Sequence, residues 1–147
     1  MKISIASTAL LFVLACSTGP DDASPTQPGA RASAGLTTAS VAGALANAGL
    51  TVRDAGMVEQ PFFSVPARVY VVSDEDVQVY EFPSAADAER AAATVSPNGS
   101  SIGPTSMSWM APPHFFRKDA LIVNHLGTNE KTHRALQTLL GPQFAGQ

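Results

Sequence analysis

Nothing between Ser17 and Gly35 can join a hydrophobic core. The stretch STGPDDASPTQPGARASAG holds three prolines, three glycines and no valine, leucine, isoleucine, methionine or aromatic residue. A segment of that composition buries too little apolar surface to offset the entropy lost on ordering. The fold has to be built by the residues beyond it, and from Leu36 onward large apolar residues return at regular spacing. The expectation is one domain over 36–147, a disordered tether over 16–35 and a separate segment over 1–15. With 147 residues, 45% hydrophobic and 14% charged, the chain has apolar material for one core and too much to be disordered throughout.

The first fifteen residues have the charge and length of a secretory signal: Lys2 and the amino terminus are positive, and Ile3 to Ala15 is apolar except for Ser4, Ser7 and Thr8. The run stops well short of the about 20 apolar residues that cross a bilayer. Val13-Leu14-Ala15-Cys16 resembles the bacterial lipobox, with a branched residue first, a small residue before the cut and cysteine directly after it. The resemblance implies that the Cys16 thiol takes a diacylglyceryl group and that cleavage falls between Ala15 and Cys16. The new amino group is then open to acylation, and two or three chains anchor a protein durably at about 0.8 kcal/mol per buried methylene. The domain would then sit on the extracytoplasmic side of a membrane in a bacterial envelope. Its tether would have a reach of about 25 Å. Cys16 is the only cysteine, so the fold has no internal disulfide and no thiol to spare for catalysis.

Beyond the tether, Thr38 to Ala48 reads as a helix with Val41 and Leu45 on one face, closed by Gly49 in a left-handed cap and by Leu50 packing back on Leu45. Leu50 to Val58 reads as a strand in which Asp54-Ala55-Gly56 marks a bulge or turn. Arg68–Val72 and Val77–Phe82 predict an antiparallel hairpin around the polar tip Ser73-Asp74-Glu75-Asp76. Ser84 caps a second helix with a thin stripe of Ala85, Ala88, Ala92 and Val95. Thr105 to Ala111 alternates Met107, Trp109 and Ala111 against Ser106, Ser108 and Met110, the pattern of a half-buried strand. Phe115-Phe116 leads through Arg117-Lys118-Asp119 into a β-rich run from Ala120 to Leu126. A last helix from Asn129 to Leu140 turns Thr132, Ala135, Leu136 and Leu139 inward and His133 outward. The order α-β-β-β-α-β-β-α predicts an α+β fold: an antiparallel sheet of about five strands with helices packed on one face.

The chemistry is sparse. Nine basic against twelve acidic residues, with no basic cluster beyond Arg117-Lys118, leave no footprint for a phosphate backbone, so no nucleic-acid partner is expected. Gly99-Ser100-Ser101-Ile102-Gly103 matches the G-x-S-x-G pattern of a serine nucleophile, but that pattern needs a strand before it and a helix after it. Here a helix precedes and Pro104 follows, so a hydrolase using Ser101 with His114 or His125 is the lesser alternative. No two of His114, His125 and His133 stand at the short spacings of a metal motif, and no cofactor or metal is expected. Asp74, Glu75 and Asp76 read as a solvated acidic tip, because the glycine and ligand spacing of a calcium loop are missing.

Two segments place proline beside paired aromatics, Gln60-Pro61-Phe62-Phe63 and Trp109-Met110-Ala111-Pro112-Pro113-His114-Phe115-Phe116. In a Phe-Phe pair on a strand one ring faces inward and the other outward. Phe62, Phe63, Trp109, His114, Phe115 and Phe116 are therefore the candidate surface for an envelope protein partner or a small apolar ligand, with loops folding over both segments as the competing outcome. These stretches and the ending Leu139-Leu140-Gly141-Pro142-Gln143-Phe144 look similar to small bacterial lipoproteins to which no activity is attached. Together the features predict a membrane-anchored, non-enzymatic envelope binding module, lipidated at Cys16.

Overall fold

Three capped helices and a sheet take shape in the computed structural model, which describes residues 35–147. The signal-like segment, Cys16 and the tether up to residue 34 lie outside the described residues. Thr37 starts helix α1 (Thr38–Asn47) by accepting the Ser40 amide while the Ser40 side chain returns to the Thr37 amide, a reciprocal cap. Ser84 caps α2 (Ala85–Ala92) at the Asp87 amide. Asn129 caps α3 (Glu130–Leu140) at Lys131 and Thr132. No helix among the described residues is long and apolar enough to cross a membrane.

The main sheet has six strands: β1 (Val52–Val58), β2 (Ala67–Val72), β3 (Glu75–Glu81), β6 (Pro113–Lys118), β7 (Leu121–Leu126) and β8 (Ala145–Gly146). Their order is β1-β2-β3-β7-β6-β8, with every neighbouring pair antiparallel. β4 (Ser101–Ile102) and β5 (Thr105–Ser106) form a small separate hairpin. The α+β class and the antiparallel sheet match the sequence expectation, with one more strand in the sheet. β1 carries the anticipated bulge: register shifts between Asp54 and Gly56, Gly56 takes φ +96, and Asp54 accepts the Gly56 amide while pairing with Arg68. The Gly56 amide and then the Arg68 guanidinium hold the Asp54 carboxyl below its ordinary value.

Helices cover both faces of the sheet, which corrects the one-face expectation. On one face α1 and α3 pack Val41, Leu45, Leu136 and Leu140 against Val72, Val77, Val79, Phe116, Leu121 and Val123. On the other, Ala88 and Ala92 of α2 join Phe63, Val69, Tyr80, Phe115 and Ile122. The physical reason lies in β7: Leu121, Ile122, Val123, Asn124 and His125 are all buried, and a strand buried on both sides needs a cover on each.

Two smaller expectations also change. The β2–β3 turn is only Ser73-Asp74, both at positive φ as a two-residue hairpin turn requires, so Glu75 and Asp76 belong to β3 rather than to a solvated tip. Only Thr105–Ser106 of the expected strand at 105–111 pairs with another strand. Residues 107–111 keep alternating in exposure, because they lie over the α2 face as a loop held by Trp109, whose Nε1 donates to the Gly99 carbonyl at 2.6 Å.

Candidate functional site

The β6–β7 hairpin turns on Asp119 and Ala120, and that register sets His114 directly opposite His125. Both side chains point to the α1–α3 face, because each stands two residues along its strand from Phe116 or Val123, which pack there. His133, one turn into α3, comes down on the same spot. The His114 and His125 rings stack at 5.5 Å, and His133 meets His114 edge-on at 4.9 Å and Phe116 at 5.3 Å. Strand register and one helix thus gather three histidines that are far apart along the chain. Their sequence spacing matches no metal motif, yet one nitrogen from each ring lies within 4.8 Å of the others.

Glu75 closes the group from behind. It shares a face with Val77 and Val79, and its carboxylate accepts from His125 Nε2 at 2.7 Å and from the Thr128 and Asn129 amides at 2.7 and 3.1 Å. Gly127 makes room for it, since a methyl group there would overlap the carboxylate. Partial burial works against ionising Glu75, but the Thr128 amide, His125 and the Asn129 amide outweigh it and set the carboxyl below its ordinary value. Burial lowers the His125 pKa, and Glu75 only partly restores it. Burial, then His114, lowers that of His133. Both rings are therefore neutral near pH 7 and carry a lone pair.

His125 is fully buried, and its Nδ1 has no hydrogen-bond partner among the described residues. His114 lies between two oxygens, Gln143 Oε1 at 2.9 Å from Nδ1 and the Gly127 carbonyl at 3.0 Å from Nε2. In front of the rings a cleft of about 530 Å³ opens to solvent, lined by Pro112, His114, Thr128, His133, Arg134 and Gln137 among others. The Arg134 guanidinium is turned to Glu130 at 3.0 Å.

The aromatic residues singled out in the sequence play a different part. Phe115 and Phe116 are fully buried and Phe63 is 8% exposed, so these three cannot form a docking surface. Phe62 and Trp109 are half-buried and join the same packing: Phe63 stands edge-on to Tyr80 at 4.8 Å, Phe62 to Trp109 at 6.2 Å and Trp109 to Phe115 at 5.9 Å. Of the six candidates only His114 belongs to the cleft. Ser101 lies in β4, where its amide donates to Ser96 Oγ. His114 and His125 bond instead to Gln143, Gly127 and Glu75, so no serine–histidine pair forms among the described residues. In the sequence Glu75 reads as part of a solvated tip and His133 as an outward helix residue, and neither as part of a site. The symmetry of the β6–β7 hairpin about its turn was the available signal, since it sets His114 against His125.

No protein-family model matches the chain, and comparison with curated proteins and with solved structures found no match to it.

Proposed function

We propose that the chain is a lipid-anchored, non-enzymatic binding module of a bacterial envelope, held near its membrane by Cys16 and the tether, and that it takes its ligand in the three-histidine cleft. One observation carries the reading: His114 lines a solvent-open cleft, and the fully buried His125 stacked on it keeps a ring nitrogen with no partner among the described residues. Buried polar groups are paired in the great majority of cases, and an exception one ring behind an opening marks a candidate ligand site. Among the described residues no serine, threonine or cysteine side chain is hydrogen-bonded to these histidines, which favours binding over turnover. The lipobox-like Val13-Leu14-Ala15-Cys16 supports the anchor.

The test has two arms. Mass spectrometry of the mature amino terminus should find a diacylglyceryl group on Cys16, and an unmodified thiol on the processed chain would overturn the anchor. Native mass spectrometry of the full chain taken gently from its own membrane should find a bound ligand or partner that the His133→Ala variant loses. A His133→Ala chain that keeps every associated species would overturn the cleft as the site.

A further inference from the structure

We infer that His114, His125 and His133 together hold a divalent late transition-metal ion of the zinc, cobalt or nickel kind at the floor of the cleft, with Glu75 as a positioning residue behind His125. The inference rests on the cleft being the ligand site and names the ligand.

The arrangement of His125 carries it furthest. A metal-binding histidine commonly donates its second N–H to a carboxylate, which fixes the tautomer and strengthens the ring as a donor. His125 does this toward Glu75 through Nε2 at 2.7 Å. The nitrogen left with the lone pair is Nδ1, the same atom that is buried without a partner. In a core this unsatisfied atom costs free energy, and a cation that accepts the lone pair removes the cost.

His114 supports the same conclusion. A neutral imidazole has one N–H, yet both its nitrogens face oxygens that accept as they stand, Gln143 Oε1 and the Gly127 carbonyl. Turning the Gln143 amide would satisfy one of them. A cation would satisfy it too, while leaving the other nitrogen to donate.

Distance and charge both fit. Nitrogens bound to one zinc ion at about 2.0–2.1 Å in tetrahedral geometry stand about 3.4 Å apart. Here one nitrogen from each ring lies within 4.8 Å of the others, a gap that small side-chain rotations of His114 and the half-exposed His133 can close. The Glu75 carboxylate supplies negative charge behind the site, and the guanidinium that lines the cleft, that of Arg134, is engaged by Glu130. Imidazole nitrogens without thiolates select late first-row divalent ions over calcium or magnesium, which prefer oxygen. Three protein ligands leave a fourth position open to water or a ligand.

The test uses the full chain in detergent, purified through a tag that contains no histidine and stripped with a chelator. Titration with zinc should saturate at one ion per chain and raise the thermal midpoint, and chelator should reverse both. Cobalt should give visible absorption bands of four- or five-coordinate nitrogen ligation. His133→Ala, at a half-exposed helix position that leaves the core intact, should abolish saturable binding while keeping the circular dichroism of the parent chain. Glu75→Gln should weaken zinc by about 10–100-fold and shift the cobalt bands, a change of ligand field that loss of folded protein does not produce. No saturable binding, or binding that His133→Ala retains, would overturn the metal site. If zinc fails to bind while the chain from its own membrane carries another species that His133→Ala loses, only the metal falls and the cleft remains the ligand site.

Discussion

The two faces of the sheet are closed by different materials. Two helices and mostly aliphatic side chains cover the α1–α3 face, whereas one short helix, two loops and a run of edge-to-face rings cover the α2 face. A helix delivers side chains at fixed heights along a stripe, so the first turns of α3 can set His133 level with the strand residues His114 and His125. Loops deliver side chains without that regularity, and large rings that tolerate many tilts fill the space they leave. The polar site forms where a helix start meets strand ends, and most of the aromatic residues serve as the scaffold of the opposite face.

Neighbouring rings on β6 give the most severe test of this contrast. Phe115 and Phe116 point to opposite faces and both are fully buried, so Phe115→Ala and Phe116→Ala should each cost about 3–5 kcal/mol in urea unfolding. A cost below about 1 kcal/mol for either would show that its face is not packed. Gly127→Ala probes the polar end of the helix-covered face: the added methyl meets the Glu75 carboxylate, and overpacking of this kind costs about 1–3 kcal/mol. An unchanged midpoint would mean that Glu75 is not held there. The smallest expected effect is on Tyr80, whose phenol lies under the loops of the α2 face and is pushed up by burial. In alkaline titration it should stay neutral until the chain unfolds, and ionisation at an ordinary tyrosine pH would show that the loops admit water.

Much of this architecture is legible in the sequence. Gly49 ends α1 in the left-handed region with Leu50 returning to bond the Leu45 carbonyl, as the Gly49-Leu50 pair predicts. The β2–β3 hairpin follows from its β-branched runs, although four polar residues concealed a two-residue turn and so hid the inward course of Glu75. The alternation at 105–111 predicted a strand because alternating burial is shared by strands and by loops lying flat on a core, and only a partner strand separates the two. The site was hidden for a related reason. Metal motifs read by spacing describe ligands on one helix or one loop, whereas these histidines are joined by cross-strand register and by the docking of α3, neither of which local periodicity records.

The bulge in β1 has a consequence for how the chain behaves in company. An outermost strand offers a free row of amides and carbonyls to any other strand that drifts past, and flat, regular edges of this kind seed aggregation. At Asp54–Gly56 that row is broken, bent by a residue at positive φ and flanked by an Arg68–Asp54 ion pair. The far edge of the sheet is β8, only two residues long. Neither border is a good template, so many copies could crowd together without zipping into fibrils.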